Sequence, residues 1–132
     1  MTDETTAAAW TPDELDRLDQ AEELRLASRR SDGTLSPYVI IWAVVANGAV
    51  YVRSAHGAGN GWYRRALTRG SGRVRAGGVE RDVVFTHAAD EPQEAIDTAY
   101  LAKYARYPSI VPSIVGPAVH GITIRITPTV PA

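Results

Sequence analysis

Apolar and polar residues alternate with a period of two through most of the central chain, and three stretches carry the wider spacing of a helix. The first is TPDELDRLDQAEE. Thr11 stands at its N-cap, Pro12 in the first helical position and Glu14 three residues after the cap, a capping box. Leu15 and Leu18 supply an apolar stripe, and the early acids complement the helix dipole. ELRLASRR then places Leu24 and Leu26 on one side and Arg25, Ala27 and Arg29 on the other, the period of a half-buried strand. After the turn-forming SDGTLSP, YVIIWAVV reads as one strand buried on both faces. Asn47-Gly48 signals a hairpin, and AVYVRS is its returning arm. Val50, Val52 and Ser54 share one face of that arm, with Tyr51, Arg53 and Ala55 opposite, so one face presents a ring and a cation side by side.

From Gly61 the spacing becomes helical, with Trp62, Ala66 and Leu67 on one face and Arg64, Arg65 and Arg69 on the rest, and Gly70 stands where a helix ends. GRVRAGGVERDVVF is a second hairpin around Gly77-Gly78. EPQEAIDTAYLAKYARY is the third helix, starting at Asp90 or Glu91, with Tyr100, Tyr104 and Tyr107 along one side. The proline-marked loop PSIVPSIVGPAVH leads to a last strand, GITIRIT. The resulting order is helix, three strands, helix, two strands, helix, strand. Strands that come in pairs without crossover helices predict an α+β fold, an antiparallel sheet closing on itself with helices packed outside, and disfavour a doubly wound parallel sheet.

The 132 residues are 45% hydrophobic, enough for one domain over residues 11–132 behind a loose polar leader over residues 1–10. A formal net charge of -1 gives the whole molecule no electrostatic reason to seek nucleic acid or an anionic membrane. The charge is nevertheless segregated. From Leu24 to Arg81 ten arginines stand against Asp32 and Glu80 alone. The absence of cysteine excludes disulfides, thiolate metal sites and cysteine nucleophiles. MTDETTAAAW lacks the features of a signal peptide and no apolar run approaches the roughly 18 residues of a membrane span, so a cytoplasmic location is the default expectation.

Chemistry concentrates in YVRSAHGAGNGWYRRALTRG, where small residues at a strand end precede a helix start and could turn backbone amides toward an anion, with Arg53, Arg64 and Arg65 adding charge. A loop followed by a solvated basic helix face explains the same residues. The spacing matches neither a Walker loop nor a dinucleotide fingerprint. His56, His87 and His120 show no paired ligand spacing, so no metal site is expected. His56 differs from the other two in lying within the glycine-rich junction. No G-x-S-x-G elbow is present, and Glu80 and Asp82 alternate on a strand that faces water. The tyrosine stripe reads as core or subunit interface, and SIVPSIVG as a sealed core edge or a lid.

Together RRSDG, YVIIWAVV, Asn47-Gly48, YVRSAHG, GWYRRAL, Arg69-Gly70 and RVRAGG resemble the FMN-binding split-barrel superfamily, in particular its deazaflavin-dependent nitroreductase branch. More closely, from Thr11 onward the chain resembles the bacterial family known as domain of unknown function 2255. The resemblance implies a split β-barrel that binds flavin or deazaflavin and acts as an oxidoreductase on a small organic molecule. It implies a homodimer with the groove between subunits. Ser54 and Gly57 match the cofactor loop, and Trp62 and Tyr63 the aromatic pair that walls the ring. Arg29, Arg30 and Arg53 are the implied phosphate contacts, and His56 and Tyr63 the candidate catalytic side chains. The branch's lysine falls on Ala55, which keeps open a cofactor-independent enzyme or binding protein on the same barrel. A haem-binding barrel with His56 as axial ligand is a third expectation.

Overall fold

A computed structural model describes residues 8–55, 57 and 59–130. The N-terminal leader up to residue 7 lies outside the described residues. The elements are α1 (Pro12–Gln20), β1 (Leu24–Ser28), β2 (Val39–Ile41), β3 (Ala43–Ala46), β4 (Ala49–Arg53), α2 (Gly61–Arg69), β5 (Ser71–Ala76), β6 (Val79–His87), α3 (Gln93–Lys103), a 3-10 turn (Val111–Ile114), α4 (Pro117–His120) and β7 (Thr123–Pro128). The seven strands form one sheet in the order β2-β1-β5-β6-β7-β4-β3, with antiparallel pairing throughout.

The two strands at the ends of this order, β2 and β3, are consecutive in the chain with only Trp42 between them. The sheet therefore curls until its edges meet at one residue, giving a nearly closed antiparallel barrel with four helices around it. YVIIWAVV is accordingly two strands, not one buried on both faces. β2 pairs with β1 and β3 with β4, and Ile40, beside the break, is 54% exposed. Four strands precede α2 rather than three. The physical reason is closure: the chain must leave one edge of the sheet and enter the other.

The first helix cap and the two-residue hairpin turn match the structure. The Thr11 side chain accepts from the Glu14 N–H at 3.1 Å and Glu14 accepts from the Thr11 N–H at 3.0 Å. Asn47 and Gly48 take φ of 51° and 77°, the left-handed pair that a two-residue hairpin turn requires. Gly72 answers a different need. A Cβ there would lie 1.9 Å from the Ala27 carbonyl oxygen, so β5 can approach β1 only with glycine at that position.

The strand alternation sorts apolar residues onto two faces. Leu24, Leu26, Val50, Val52, Val74, Val83, Phe85, Ile124 and Ile126 pack together with Leu18 of α1 and Trp62, Tyr63 and Ala66 of α2. On the other face Val44, Ala46, Ala49 and Tyr51 pack beneath α3 and the 3-10 turn, against Ile96, Tyr100, Tyr104, Val111 and Ile114. The face of β4 expected to present Tyr51 and Arg53 is thus covered, and all five β4 residues are buried.

α3 starts at Gln93, with Pro92 at its N-cap, and ends at Lys103. Tyr107 lies beyond it in the following turn, so the three tyrosines do not share one helical stripe. Tyr104 instead stacks on Trp42 at 4.0 Å between ring centroids, and Tyr100 lies 6.0 Å from Tyr104. The proline-marked stretch is not a plain loop but folds into the 3-10 turn and α4. Among the described residues no helix is long and apolar enough to cross a membrane.

Candidate functional site

Beside the break at Trp42 lies a groove of about 290 Å³. Ile40, Ile41 and Trp42 form one wall. Ala55 and Trp62, from the β4 exit and the start of α2, form a second, and Ile110, Ser113 and Ile114 of the 3-10 region a third. Asn60 contributes a polar edge; its side chain also caps α2 by accepting from the Trp62 N–H at 3.3 Å. Trp42 is held in place by its stack on Tyr104, and Trp62 by Tyr63, which meets it edge-on with centroids 6.1 Å apart. The lining is mainly apolar with two aromatic walls, the composition of a site for a flat organic ring.

Arg53 borders the groove, yet its side chain is 0% exposed. Its guanidinium is committed inward. Nε donates to Thr123 Oγ1 at 3.0 Å, Nη2 to Gln93 Oε1 at 2.8 Å, and Nη1 both to Asp97 Oδ1 and to the Ile114 carbonyl at 3.0 Å. It also lies over the Tyr100 ring, 5.5 Å from the centroid. Burial opposes ionisation of Asp97, but hydrogen bonds from His120, Arg53 and the Gly116 N–H outweigh it and hold the carboxyl below its usual value. His120 Nε2 lies 2.9 Å from Asp97 Oδ2.

The structure brings Trp62 to the groove and Tyr63 behind it. Tyr63 is buried in the core, and burial raises its phenol pKa. Ser54 and Gly57 close a turn at the β4 exit, the Ser54 hydroxyl donating to the Gly57 carbonyl at 2.7 Å. Arg29 and Arg30 are not brought to this groove. Arg29 donates to the Gly33 carbonyl at 2.8 Å and pairs with Asp82 at 3.1 Å, and Arg30 donates to the Leu35 carbonyl at 2.9 Å, so both serve the 28–36 turn. His56 lies outside the described residues. Gly61, Arg64, Arg65, Thr68 and Arg69 border a separate basic depression on α2.

Sequence reasoning missed Trp42, Ile110 and Ile114, which it assigned to a strand interior and a loop. It also missed Gln93, Asp97, His120 and Thr123 around Arg53. One signal was available. Gln93, Asp97 and Tyr100 stand at i, i+4 and i+7 on α3, which puts two polar side chains on the same face as a buried ring.

The barrel is antiparallel and nearly closed, with the apolar groove beside its split. The chain belongs to the family of uncharacterised proteins conserved in bacteria, DUF2255, which it matches over residues 14–126. No curated protein matches it in sequence. In structure it is similar to the conserved hypothetical protein Rv2991 from Mycobacterium tuberculosis, with a TM-score of 0.59 and 12% identity, covering 100% of this chain and 87% of that one. It is also similar to an F420-H2 dependent reductase, with a TM-score of 0.57 and 16% identity over 80% of this chain and 93% of that one. A third structure, described as a domain-swapped dimer, gives a TM-score of 0.53 and 17% identity over 89% and 87% of the two chains. At identities this low the structural likeness shows a shared fold alone.

Proposed function

We propose that this protein is a flavin- or deazaflavin-binding, oxidoreductase-like protein that acts on a small organic molecule, works in the cytoplasm and assembles as a homodimer. The observation that carries the reading is the apolar groove at the barrel split, with Trp42 and Trp62 among its walls. A fused aromatic ring suits such walls, and the bound cofactor would supply the hydride chemistry. The chain's own part is to hold the ring, exclude water from it and orient the substrate.

The residues fit the ring better than the phosphate. Ala55, where the resemblance places a lysine, lines the groove without charge, and Arg53 is already neutralised by Asp97. The phosphate is therefore assigned to the basic depression of Arg64, Arg65 and Arg69 at the same junction. In this reading Trp62 contacts the ring, Tyr63 backs it from the core, and Ser54 and Gly57 shape the strand exit. At about 290 Å³ the groove sits at the lower edge of ligand pockets, which run from about 300 Å³ upward. A second copy lying over the exposed Ile40 and Ile110 would complete it.

The test is titration of the purified protein with FMN and with a deazaflavin, followed by visible absorbance and by quenching of tryptophan emission. Saturable quenching with a shifted visible band supports the reading. Failure with both cofactors, alongside binding of an uncharged aromatic compound, assigns the groove to the cofactor-independent alternative that the neutral Ala55 favours.

A further inference from the structure

One wall of the groove is not part of the barrel. Ile110, Ser113 and Ile114 belong to a strap over residues 110–121, outside the strand ladder. The strap is held by the burial of Val111, Ile114 and Val119 and by polar contacts, most of which converge on two side chains. Arg53 donates to the Ile114 carbonyl at 3.0 Å, and both Asp97 oxygens accept from the Gly116 N–H at 3.3 Å. Asp97 also meets His120 at 2.9 Å at the far end of the strap. Asp97 therefore touches the strap at two points and the barrel strand β4 at a third, through Arg53, without itself lining the groove.

Two further contacts fix the geometry of this junction. Gln93, one turn before Asp97 on α3, accepts from Arg53 at 2.8 Å and from the Thr123 hydroxyl at 3.0 Å. The Gln93 amide in turn donates to the Ala88 carbonyl at 2.7 Å, which prevents that side chain from turning over. Arg53 is thus clamped by Thr123 of β7 and Gln93 of α3, and it holds Asp97 and Ile114 in turn. A buried guanidinium with no exposed surface cannot itself meet a ligand, but it can decide where the strap lies.

We infer that Asp97 is a positioning residue of the groove: through Arg53, Gly116 and His120 it sets the strap wall against which a flat ligand must pack. The inference rests on the ring-binding reading for its effect on affinity, but its structural half stands without any ligand. Arg53 and Asp97 are 44 residues apart in sequence, and the device links β4, α3 and the strap into one unit whose setting controls the width of the groove.

The experiment compares the full chain with Asp97→Asn, His120→Ala and a control, Glu14→Gln. The control removes the charge of a carboxylate about as exposed as Asp97, Glu14, which pairs with Arg81 at 2.7 Å away from the strap. Amide hydrogen exchange is read across residues 110–121 and across the β5–β6 hairpin, and affinity is read with FMN and a deazaflavin. For Asp97→Asn, exchange in the strap should rise tenfold or more relative to the hairpin, and ring-ligand affinity should fall about tenfold. His120→Ala, which leaves no buried charge unpaired, should shift both in the same direction by less. It serves as the decisive variant if Asp97→Asn fails to fold. Glu14→Gln should lower thermal stability and change neither.

Strap exchange that stays at the parent level, or that rises only in step with the hairpin, overturns the inference. So does an opened strap with unchanged affinity, or an equal affinity loss in Glu14→Gln. If the parent binds neither cofactor, the functional reading fails, and the exchange result alone then supports or overturns the positioning role.

Discussion

Arg53 illustrates how a residue's environment reverses its meaning. By alternation along AVYVRS it stands opposite Val52, which suggested an exposed cation ready for a phosphate. The structure places α3 and the strap over that face, leaving the side chain 0% exposed and paired with Asp97. Removing one partner of a buried pair strands the other charge, so Arg53→Ala should destabilise the fold by about 3 kcal/mol or more. The double variant Arg53→Ala with Asp97→Ala should recover part of that loss, as measured by urea denaturation. A cost of a few tenths of a kcal/mol would mean that the guanidinium is solvated after all. Lys103 makes a second residue-scale case. Its ammonium donates to the Leu18 and Ala43 carbonyls at 3.1 and 2.7 Å, and burial pushes its pKa down from 10.5 to about 8. Between those values the unfolded chain binds a proton that the folded chain lacks, so this group makes stability rise with pH from about 8 toward 10.5. Tyr51 opposes it at higher pH. Burial raises its phenol from 10.0 to about 12, so the folded chain keeps a proton that the unfolded chain loses, and stability falls above pH 10. Chemical denaturation across this range should show the rise in the parent and lose it in Lys103→Met.

At the scale of elements, two positions test whether the barrel is held by the contacts described. Gly72→Ala puts a methyl against the Ala27 carbonyl oxygen, which only a shift of β1 against β5 can relieve, and overpacking of this kind costs about 1–3 kcal/mol. Thr11→Ala removes one half of the capping box and should cost about 1 kcal/mol, with no change in ligand affinity because α1 does not line the groove. Thermal melts and titrations check both. These elements were legible because their signals are local. Asn47-Gly48, Gly77-Gly78 and Thr11 through Glu14 each announce a turn or a helix start within four residues. The break at Trp42 was not legible, because YVIIWAVV has no glycine or proline to mark it; the bend is imposed by partners β1 and β4 far along the chain. The end of α3 was misplaced for a related reason. Tyr104 and Tyr107 continue the helical spacing, yet Tyr104 leaves the helix to stack on Trp42. Of the site, Trp62 was recognisable from the resemblance. The third wall was not, since a loop's apolar residues reveal their target only once the barrel is closed.

For the whole molecule the groove's rim is the surface that a partner would cover. Exposed large apolar side chains are few among the described residues, and two of them, Ile40 at 54% and Ile110 at 52%, stand on the groove's edges. An apolar rim around an apolar groove is where a partner surface gains most from excluding water. β2 and β3 reinforce this, since each is paired on one side only and both border the split. A second copy related by a two-fold axis would cover both rims at once, because the same patch then meets itself. Ile40→Asp with Ile110→Asp places charge at the centre of that patch while leaving the barrel interior untouched. Light scattering at micromolar concentration should show the parent as a dimer and this variant as a monomer of native thermal stability. If the ring site is completed by the second copy, FMN or deazaflavin affinity should fall as the dimer dissociates across a dilution series of the parent, and the monomeric variant should bind weakly at every concentration. A monomeric parent that binds the cofactor tightly would place the whole site within one barrel.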